Sequence, residues 1–561
     1  MTGQIKTCRF YFLCFFLILV SIAAKASAAT DSDDFEERLE KDVRRYEKMS
    51  KQELVAKIIK RGKELIEYTN GAGDESYDRV SRLTHLAILQ AKAGFREDSR
   101  ENLDEARQIF KDCTQNQFDP FNEQRLASLA AANAQAGFFD EALHLLRQVK
   151  GVLEKNRTLA TLATEARKTG QTEAAQKILH EMKQISGTAD DWSLESISSA
   201  LAEAGRFSEA VQTARTIGDW YAQEGCVRTI ARLQRKAGLE SDADQTLEIL
   251  VHPVARVNAL TDIASEKTEA KDYATAEKYL DEAVLIAETV EDGYWRCDVF
   301  RNIGYWYARI GAVDQARKAY EKSIEIAIKP DGYLQSNWAD GFSEEEKKKF
   351  DFRDRQSSLG NIAASQSWAG LHADALQTAK LIQPGEERDS AYDRIASGYA
   401  YNGKDKEAME LIDTVATRWR RQTGLQDIAE VQIKQGRFEQ ALVTIRHMQE
   451  DDDKDYGYTT GMSTIAEMSL KGECQSKLAE AHATAGRLAL AIALADRIVD
   501  PRRCLEAYVL IVGSIRTIDD ESSNTEPEKV FEKAKRLADH GRQVSRIRYY
   551  RPPQWKRCHC L

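Results

Sequence analysis

The sequence predicts an all-α fold, a right-handed solenoid of about eleven helix-turn-helix repeats with a helical cap at each end. Three observations support this prediction. A Leu or Ile followed by a small residue recurs along the chain, a glycine follows seven residues after the small residue, and an alanine follows five residues after the glycine. Five of the steps between equivalent positions are 33 residues long, and a fixed period of this size is typical of helical arrays.

The Leu or Ile position is filled in every copy, and the small residue beside it is Ala, Ser or Gly. The copies begin at Leu86, Leu129, Leu162, Ile197, Ile230, Ile263, Ile303, Ile362, Ile395, Ile428 and Leu478. The small residue allows a second helix to approach closely, and the glycine supplies the positive φ at which a helix ends. Lys271 is the one exception in the glycine series.

Residues 424–448 show how one copy works. Leu425, Ile428 and Ala429 fall on one helical face, Gly436 ends that helix, and Ala441 lies early in a second helix. The repeat unit is therefore predicted to be a helical hairpin.

Residues 300–327 carry Gly304, Tyr307, Gly311, Ala316 and Tyr320 at the positions of the tetratricopeptide repeat signature, and residues 80 to 500 resemble that family as a whole. The resemblance implies a groove, lined by the first helices, that binds a protein or peptide. Most copies depart from the signature, because a larger apolar residue replaces a later alanine, as at Val149, Ile217, Val415 and Ile498.

The first 28 residues have the pattern of a secretory signal peptide. Lys6 and Arg9 precede an apolar run over residues 10–24, and Ala26 and Ala28 frame a small-residue cleavage site. The run is short for a membrane span, which needs about 20 residues. We expect a secreted, periplasmic or cell-envelope protein, cleaved near Ala28, without a stable membrane span; an uncleaved membrane anchor is the alternative.

The net charge of −10 argues against a nucleic-acid partner. Removing residues 1–28 removes three basic residues and no acid, so the net charge becomes −13. The acidity also disfavours a pentatricopeptide RNA binder. Seven cysteines then remain, too few and odd in number for a disulfide framework. Cys226 and Cys474 are expected to be buried free thiols, with a bridge from Cys474 to Cys504 as the minor alternative.

The predicted organisation follows the chain from cap to cap. Its parts are the signal peptide (1–28), an N-terminal helical cap (29–79), a first repeat array (80–330), an insertion (331–352), a second array (353–500) interrupted at 450–473, a C-terminal helical cap (501–541) and a basic tail (542–561). Ser50 and Glu53 form a predicted capping box. Pro253, Pro384 and Pro501 each precede a first helix.

Three segments suggest contacts outside the array. The insertion at 331–352 is rich in aromatic residues and is expected to pack on the solenoid itself or on a partner. Asp451, Asp453 and Asp455 alternate like calcium ligands, but the spacing fits a solvated acidic loop better than an EF-hand. The tail contains six basic residues and no acid; it is expected to be disordered, with folding back or binding to an anionic surface as the alternatives.

No catalytic signature occurs in the sequence, and its nine histidines form no pair at metal-ligand spacing. We therefore expect a non-enzyme with no cofactor and no metal.

The family resemblance implies which residues line the groove, namely those three before and one and five after the small residue. The predicted site comprises Arg228, Arg232, Lys236, Arg301, Tyr305, Arg309, Trp368 and Tyr401. Such a basic and aromatic patch suits a peptide carboxylate or an acidic segment. The alternative is that these charges pair with acids of the array such as Glu195, Glu203 and Glu269.

The sequence thus predicts an exported scaffold or adaptor that binds a protein or peptide. The alternatives are an accessory subunit or enzyme acting on an envelope polymer, with Tyr305, Trp306 and Trp368 stacking on sugars, and a purely structural spacer.

Overall fold

A computed structural model describes residues 38–67, 75–114, 122–185, 190–329, 343–448, 470–498 and 501–521. Within these ranges every regular element is an α-helix, which confirms the all-α prediction. The signal peptide, residues 330–342, the acidic loop and the basic tail lie outside the described residues, and what the sequence predicts for them stays a prediction.

Twenty-five helices are present in the described ranges, and they fall into two compact units. Of the described residues, those up to 67 and those from 475 onward belong to unit 1, and those from 75 to 474 belong to unit 2. The helices are α1 (38–46), α2 (Lys51–Glu67), α3 (Glu75–Ala93), α4 (Arg96–Thr114), α5 (Asn122–Gln135), α6 (Phe139–Leu146), α7 (Val152–Lys168), α8 (Thr172–Ile185), α9 (Asp191–Glu203), α10 (Phe207–Arg215), α11 (Trp220–Lys236), α12 (Glu240–Leu247), α13 (Pro253–Glu269), α14 (Tyr273–Ala287), α15 (Gly293–Arg309), α16 (Val313–Ile328), α17 (Glu344–Trp368), α18 (His372–Lys380), α19 (Glu386–Tyr401), α20 (Asp405–Ile412), α21 (Arg418–Lys434), α22 (Phe438–His447), α23 (Leu470–Thr484), α24 (Leu488–Ala495) and α25 (Pro501–Glu521).

Unit 2 is built from consecutive helical hairpins, each with a first and a second helix. The odd-numbered helices from α3 to α21 are the first helices, and each packs on the second helix that follows it. From α3 to α19, each first helix also packs on the first helix of the next hairpin, which makes a continuous layer that ends at α21. The hand of the array and the count of about eleven repeats remain predictions.

The turn inside each hairpin is formed by the predicted glycine. Positive φ occurs at Gly94, Gly137, Gly170, Gly205, Gly238, Gly311, Gly370, Gly403, Gly436 and Gly486, and Lys271 adopts φ 61° at the one position without glycine. At Gly238 the next amide, that of Leu239, donates to the carbonyl of Gln234 at 2.9 Å. This bond is the mark of a Schellman motif, which satisfies carbonyls at the helix C-terminus.

Small residues let the two helices of a hairpin cross closely, as the sequence predicts. A Cβ added to Gly304 would lie 3.1 Å from the ring of Tyr320 on the second helix. Where serine replaces alanine at the crossing, its hydroxyl bonds across the hairpin. Ser99 donates to the carbonyl of Ala87 at 2.7 Å, and Ser198 donates to that of Ala210 at 2.8 Å.

The helix starts agree with the sequence in several places. Ser50 and Glu53 exchange the two hydrogen bonds of the predicted capping box. Pro253 and Pro501 are the first residues of α13 and α25, and Pro384 lies two residues before α19. Residues 344–352, predicted as part of an insertion, continue α17 toward its N-terminus, and Ser343 and Glu346 cap that helix with a second capping box.

Unit 1 brings the first described helices to the last ones. Helix α2 packs on α25, and Asp496, just after α24, accepts hydrogen bonds from the hydroxyls of Tyr46 and Tyr508. Lys57 lies 3.2 Å from the same carboxylate, and Arg497 donates to Asp42 at 2.9 Å. The helices predicted as an N-terminal cap therefore pack on the C-terminal helices.

The buried cysteines of the described chain form no disulfide, in agreement with the expectation for Cys226 and Cys474. They are Cys226, Cys297, Cys474 and Cys504, so the alternative bridge from Cys474 to Cys504 is not present. Burial raises the pKa of Cys226 and of Cys504 to about 12, which keeps both thiols protonated and unreactive.

Candidate functional site

The eight predicted groove residues lie on four first helices of unit 2. Lys236, Arg309, Trp368 and Tyr401 are the last residues of α11, α15, α17 and α19. The C-terminal end of a helix carries partial negative charge and favours cations such as Lys236 and Arg309.

Three of these residues form a contiguous group, named the Trp368 cluster, made of Arg309, Trp368 and Tyr401. The Trp368 and Tyr401 ring centroids are 4.6 Å apart, and the guanidinium of Arg309 lies 5.7 Å from the Tyr401 centroid. Gln435 donates from Nε2 to the carbonyl of Tyr401 at 2.8 Å. Because Arg309 and Tyr401 come from helices on either side of α17, they meet across its end, on one face of the first-helix layer.

Arg228 belongs to an internal ion-pair network. Its Nε lies 2.6 Å and its Nη2 lies 2.8 Å from the two carboxylate oxygens of Asp262, and its Nη1 lies 2.8 Å from Glu224 Oε1. Asn258 donates to the same Oε1 at 2.8 Å. Burial alone would lower the pKa of Arg228, but Asp262 and Glu224 outweigh it, so that the pKa is raised.

Arg301 is also paired within the array. It donates to Asp298, one turn earlier on α15, at 2.6 Å. Burial alone would lower the pKa of Arg301, but the neighbouring Asp298 carboxylate outweighs burial, so that the pKa is raised. The pairing alternative therefore applies to Arg228 and Arg301, although their partners are not the acids named from the sequence.

The remaining predicted cations have no carboxylate partner within the described part of the chain. The side chains of Arg232, Lys236 and Arg309 form neither a hydrogen bond nor an ion pair there, although the charge of Arg232 partly opposes the rise that burial causes in the pKa of Glu266. Tyr305 stacks edge-on against Trp306, which itself packs on the core. The basic part of the site is thus smaller than the sequence suggested.

A second group of aromatic residues, not predicted from the sequence, lies at the opposite ends of the first helices. The Tyr221 cluster comprises Trp192, Trp220, Tyr221, His252, Tyr294 and Trp295. Tyr221 and Tyr294 both lie ten residues before the small residue of their repeats. An alignment of the repeats on that residue would have revealed this shared position.

Rings in this cluster also meet across an intervening helix. Trp220 of α11 stacks on His252 at 3.9 Å and meets the edge of Trp295 of α15 at 5.4 Å. Tyr221 lies 5.9 Å from both Trp192 and Trp295. Since α13 separates α11 from α15 in the layer, these contacts lie in front of its N-terminal end.

Chemistry that would indicate catalysis is not evident in the described ranges. They contain no group of His, Cys, Asp and Glu side chains able to hold a metal ion. Ser367 lies 3.1 Å from His372 Nδ1, but both residues are buried and the serine hydroxyl donates to the carbonyl of Ile395. None of the described helices is long and apolar enough to cross a bilayer.

The hairpins, Schellman turns and layered first helices define an α-helical repeat protein. Residues 256–329 match the family model described as tetratricopeptide repeat. The chain is thus an α-helical repeat protein that is similar to the tetratricopeptide repeat over this segment, and repeats of this type generally bind proteins and are typically non-catalytic.

Several solved structures are similar to the chain at low identity. Ton1535 from Thermococcus onnurineus NA1 is 17% identical, with 68% of this chain and 99% of that chain covered and a TM-score of 0.25. Human IFIT1, solved as a dimer with m7Gppp-AAAA, is 12% identical, with 80% and 95% covered and a TM-score of 0.24. A signal transduction ATPase with a tetratricopeptide repeat sensor, from Pyrococcus horikoshii, is 13% identical, with 71% and 56% covered and a TM-score of 0.24. No curated protein sequence matches the chain significantly.

Proposed function

We propose that this protein is an exported, non-catalytic scaffold that binds a protein or peptide on the first-helix face of unit 2. The observation that carries the proposal is the Trp368 cluster, in which side chains of three successive first helices meet on one surface. Aromatic and arginine side chains are the residue types that dominate binding energy at protein interfaces.

The chemistry of this face favours an acidic partner segment or a peptide C-terminus. The side chains of Lys236 and Arg309 form no ion pair with a carboxylate of the described chain, and Arg232 has only a longer-range charge interaction with Glu266. A carboxylate placed against them gains charge-assisted hydrogen bonds, and Trp368 and Tyr401 supply apolar contact area beside it.

Export rests on the sequence pattern of residues 1–28 alone. Cell fractionation followed by mass determination of the intact protein tests it. A mature chain that begins just after Ala28 in the exported fraction supports export, and a cytosolic chain that retains residues 1–28 contradicts it.

Binding is tested with a charge-reversed face and a matched control. Arg232→Glu/Arg309→Glu reverses two unpaired cations of the first helices, and Lys278→Glu/Lys318→Glu reverses two exposed lysines of the second helices α14 and α16. Partners are captured from the exported fraction, identified, and their acidic segments titrated as synthetic peptides. We expect the first-helix variant to lose at least about tenfold in affinity and the control to bind like wild type.

The outcome also separates a peptide partner from a glycan. Equal loss in both double variants, or in neither, contradicts recognition by this face. A partner that is a glycan, lost in Trp368→Ala and kept in the charge reversal, supports the envelope-polymer alternative instead.

A further inference from the structure

The Tyr221 cluster is a surface formed by the N-terminal ends of four first helices. Its members come from α9, α11, the residue before α13, and α15. Tyr221 lies at the centre, with Trp192, Trp220 and Trp295 around it at centroid distances of 5.9, 5.6 and 5.9 Å. Tyr221 is 37% exposed, so part of its ring is accessible to a ligand.

Aspartates cap the helix ends at this surface. Asp190, Asp219 and Asp292 each accept a hydrogen bond from a backbone amide in the first turn of α9, α11 and α15, and their carboxylates offset the partial positive charge of these helix ends. Burial raises the pKa of Tyr221, and nearby carboxylates, Glu224 first among them, add to the rise. An accessible aromatic ring in a negative surrounding is complementary to a cation, because the face of the ring carries negative charge as well.

We propose that the Tyr221 cluster binds a cationic side chain, Lys or Arg, of the same peptide whose acidic residue contacts the Trp368 cluster. The proposal rests on the proposed function and adds a second point of recognition. Helix α15 connects the two clusters, since it carries Trp295 in its first turn and Arg309 as its last residue.

The length of α15 sets the distance between the cationic and the acidic residue of the bound peptide. Fourteen helical steps from Trp295 to Arg309 correspond to about 21 Å at about 1.5 Å per residue. An extended peptide advances about 3.3 Å per residue. The cationic and acidic residues of the bound segment are therefore about six positions apart.

The test uses the full chain and fluorescein-labelled probe peptides of Gly, Ser and Ala. One probe carries Lys and Glu about six positions apart, a second replaces Lys with norleucine, and a third replaces Glu with Gln. Each is titrated by fluorescence anisotropy against wild type, Tyr221→Leu, Tyr221→Phe and the distant exposed control Tyr273→Leu on α14. Circular dichroism establishes that each variant is folded.

We expect norleucine to weaken binding about three- to tenfold in wild type, Tyr221→Phe and Tyr273→Leu. In Tyr221→Leu the preference for Lys over norleucine should fall to less than about half of the wild-type ratio, because the central aromatic face is gone while the apolar volume and the carboxylates remain. Equal binding of these two probes by wild type overturns the proposal, and so does a preference for Lys that is undiminished in Tyr221→Leu.

The third probe separates this proposal from the proposed function. If Gln weakens binding but norleucine does not, the first-helix face still binds acidic peptides and only the cation site is wrong. If neither substitution changes binding, or if no probe binds, both proposals are overturned.

Discussion

Arg228 on α11 and Asp262 on α13 form a two-pronged ion pair between neighbouring repeats, with Nε–Oδ2 and Nη2–Oδ1 distances of 2.6 and 2.8 Å. The planar guanidinium matches the carboxylate geometry, which makes such pairs stronger than single-contact pairs. Glu224, one turn before Arg228 on α11, completes the network, and its Oε2 atom is buried without a hydrogen-bond donor among the described residues. A residue at a predicted groove position thus holds two first helices together.

Arg228→Met is expected to lower the free energy of unfolding by about 2 to 4 kcal/mol, because it leaves the buried Glu224 carboxylate without its cation. Arg228→Met/Glu224→Gln should recover most of this loss. Urea unfolding, fitted with a nearest-neighbour repeat model, measures both. Arg301→Met is the matched control: its partner Asp298 is 39% exposed, so we expect a loss of at most about 1 kcal/mol. Equal losses at Arg228 and Arg301 would show that the Arg228 network contributes no more to the free energy of unfolding than a single, partly exposed ion pair.

Lys271 occupies the left-handed conformation, φ 61°, that glycine adopts in the other turns. This conformation costs a residue with a Cβ about 1 kcal/mol. Lys271→Gly should therefore stabilise the protein by about 0.5 to 1 kcal/mol, visible as a higher urea midpoint. Gly311→Ala is the reverse control, since an added Cβ there meets nothing within 4 Å and its cost is purely conformational. A lower midpoint for Lys271→Gly would contradict this explanation.

The hairpins were predictable because their determinants are local. The small residue, the glycine and the alanine act within about twelve residues of one another, so their spacing alone specifies the crossing and the turn. Even Lys271 could be identified as the exception. The free, buried state expected for Cys226 and Cys474 follows from the same repeat register.

The contacts between repeats were not predictable in the same way. Arg228 has several acids within one repeat of it, and only the folded layer selects Asp262, 34 residues away. The Tyr221 cluster draws on rings from four helices, so no single stretch of sequence displays it. Likewise, Tyr46 and Asp496 are 450 residues apart, and the repeat pattern contains no signal for that contact.

Gly398 on α19 lies against α17 at a distance that excludes any side chain. A Cβ at this position would lie 2.7 Å from Ser367 Cβ and 2.8 Å from its backbone carbonyl carbon. Gly398→Ala should destabilise the protein by about 1 to 3 kcal/mol despite the better helix propensity of alanine. Gly225 on α11 is the matched control, because a Cβ there meets chiefly the movable carboxylate of Glu195. Thermal unfolding should show a clear loss for Gly398→Ala and little change or a gain for Gly225→Ala; the opposite order would refute the close-approach explanation.

Asp393 introduces a pH dependence into α19. Burial raises the pKa of Asp393 to about 7, with Asp427 adding to the rise and Arg394 and Arg420 opposing it. Between its ordinary pKa of 3.8 and about 7, the folded state holds a proton that the unfolded state has released. Stability from this group is therefore lost as pH rises through that window.

Asp393→Asn removes the titration, so the variant should gain stability relative to wild type as pH increases from about 4 to about 7, and the gain should level off above pH 7. Its size follows from about 1.4 kcal/mol per pKa unit, which gives a few kcal/mol at pH 8. Burial lowers the pKa of His372 and of His482 to about 4, but both titrate in both proteins and cancel in the difference. Urea midpoints of the pair at intervals from pH 4 to 8 measure the effect. Asp427→Asn, which removes a like charge facing Asp393 from α21, should shift the midpoint of the pH profile downward. A stability difference between Asp393→Asn and wild type that stays constant over this range would mean that Asp393 is ionised in the folded protein throughout.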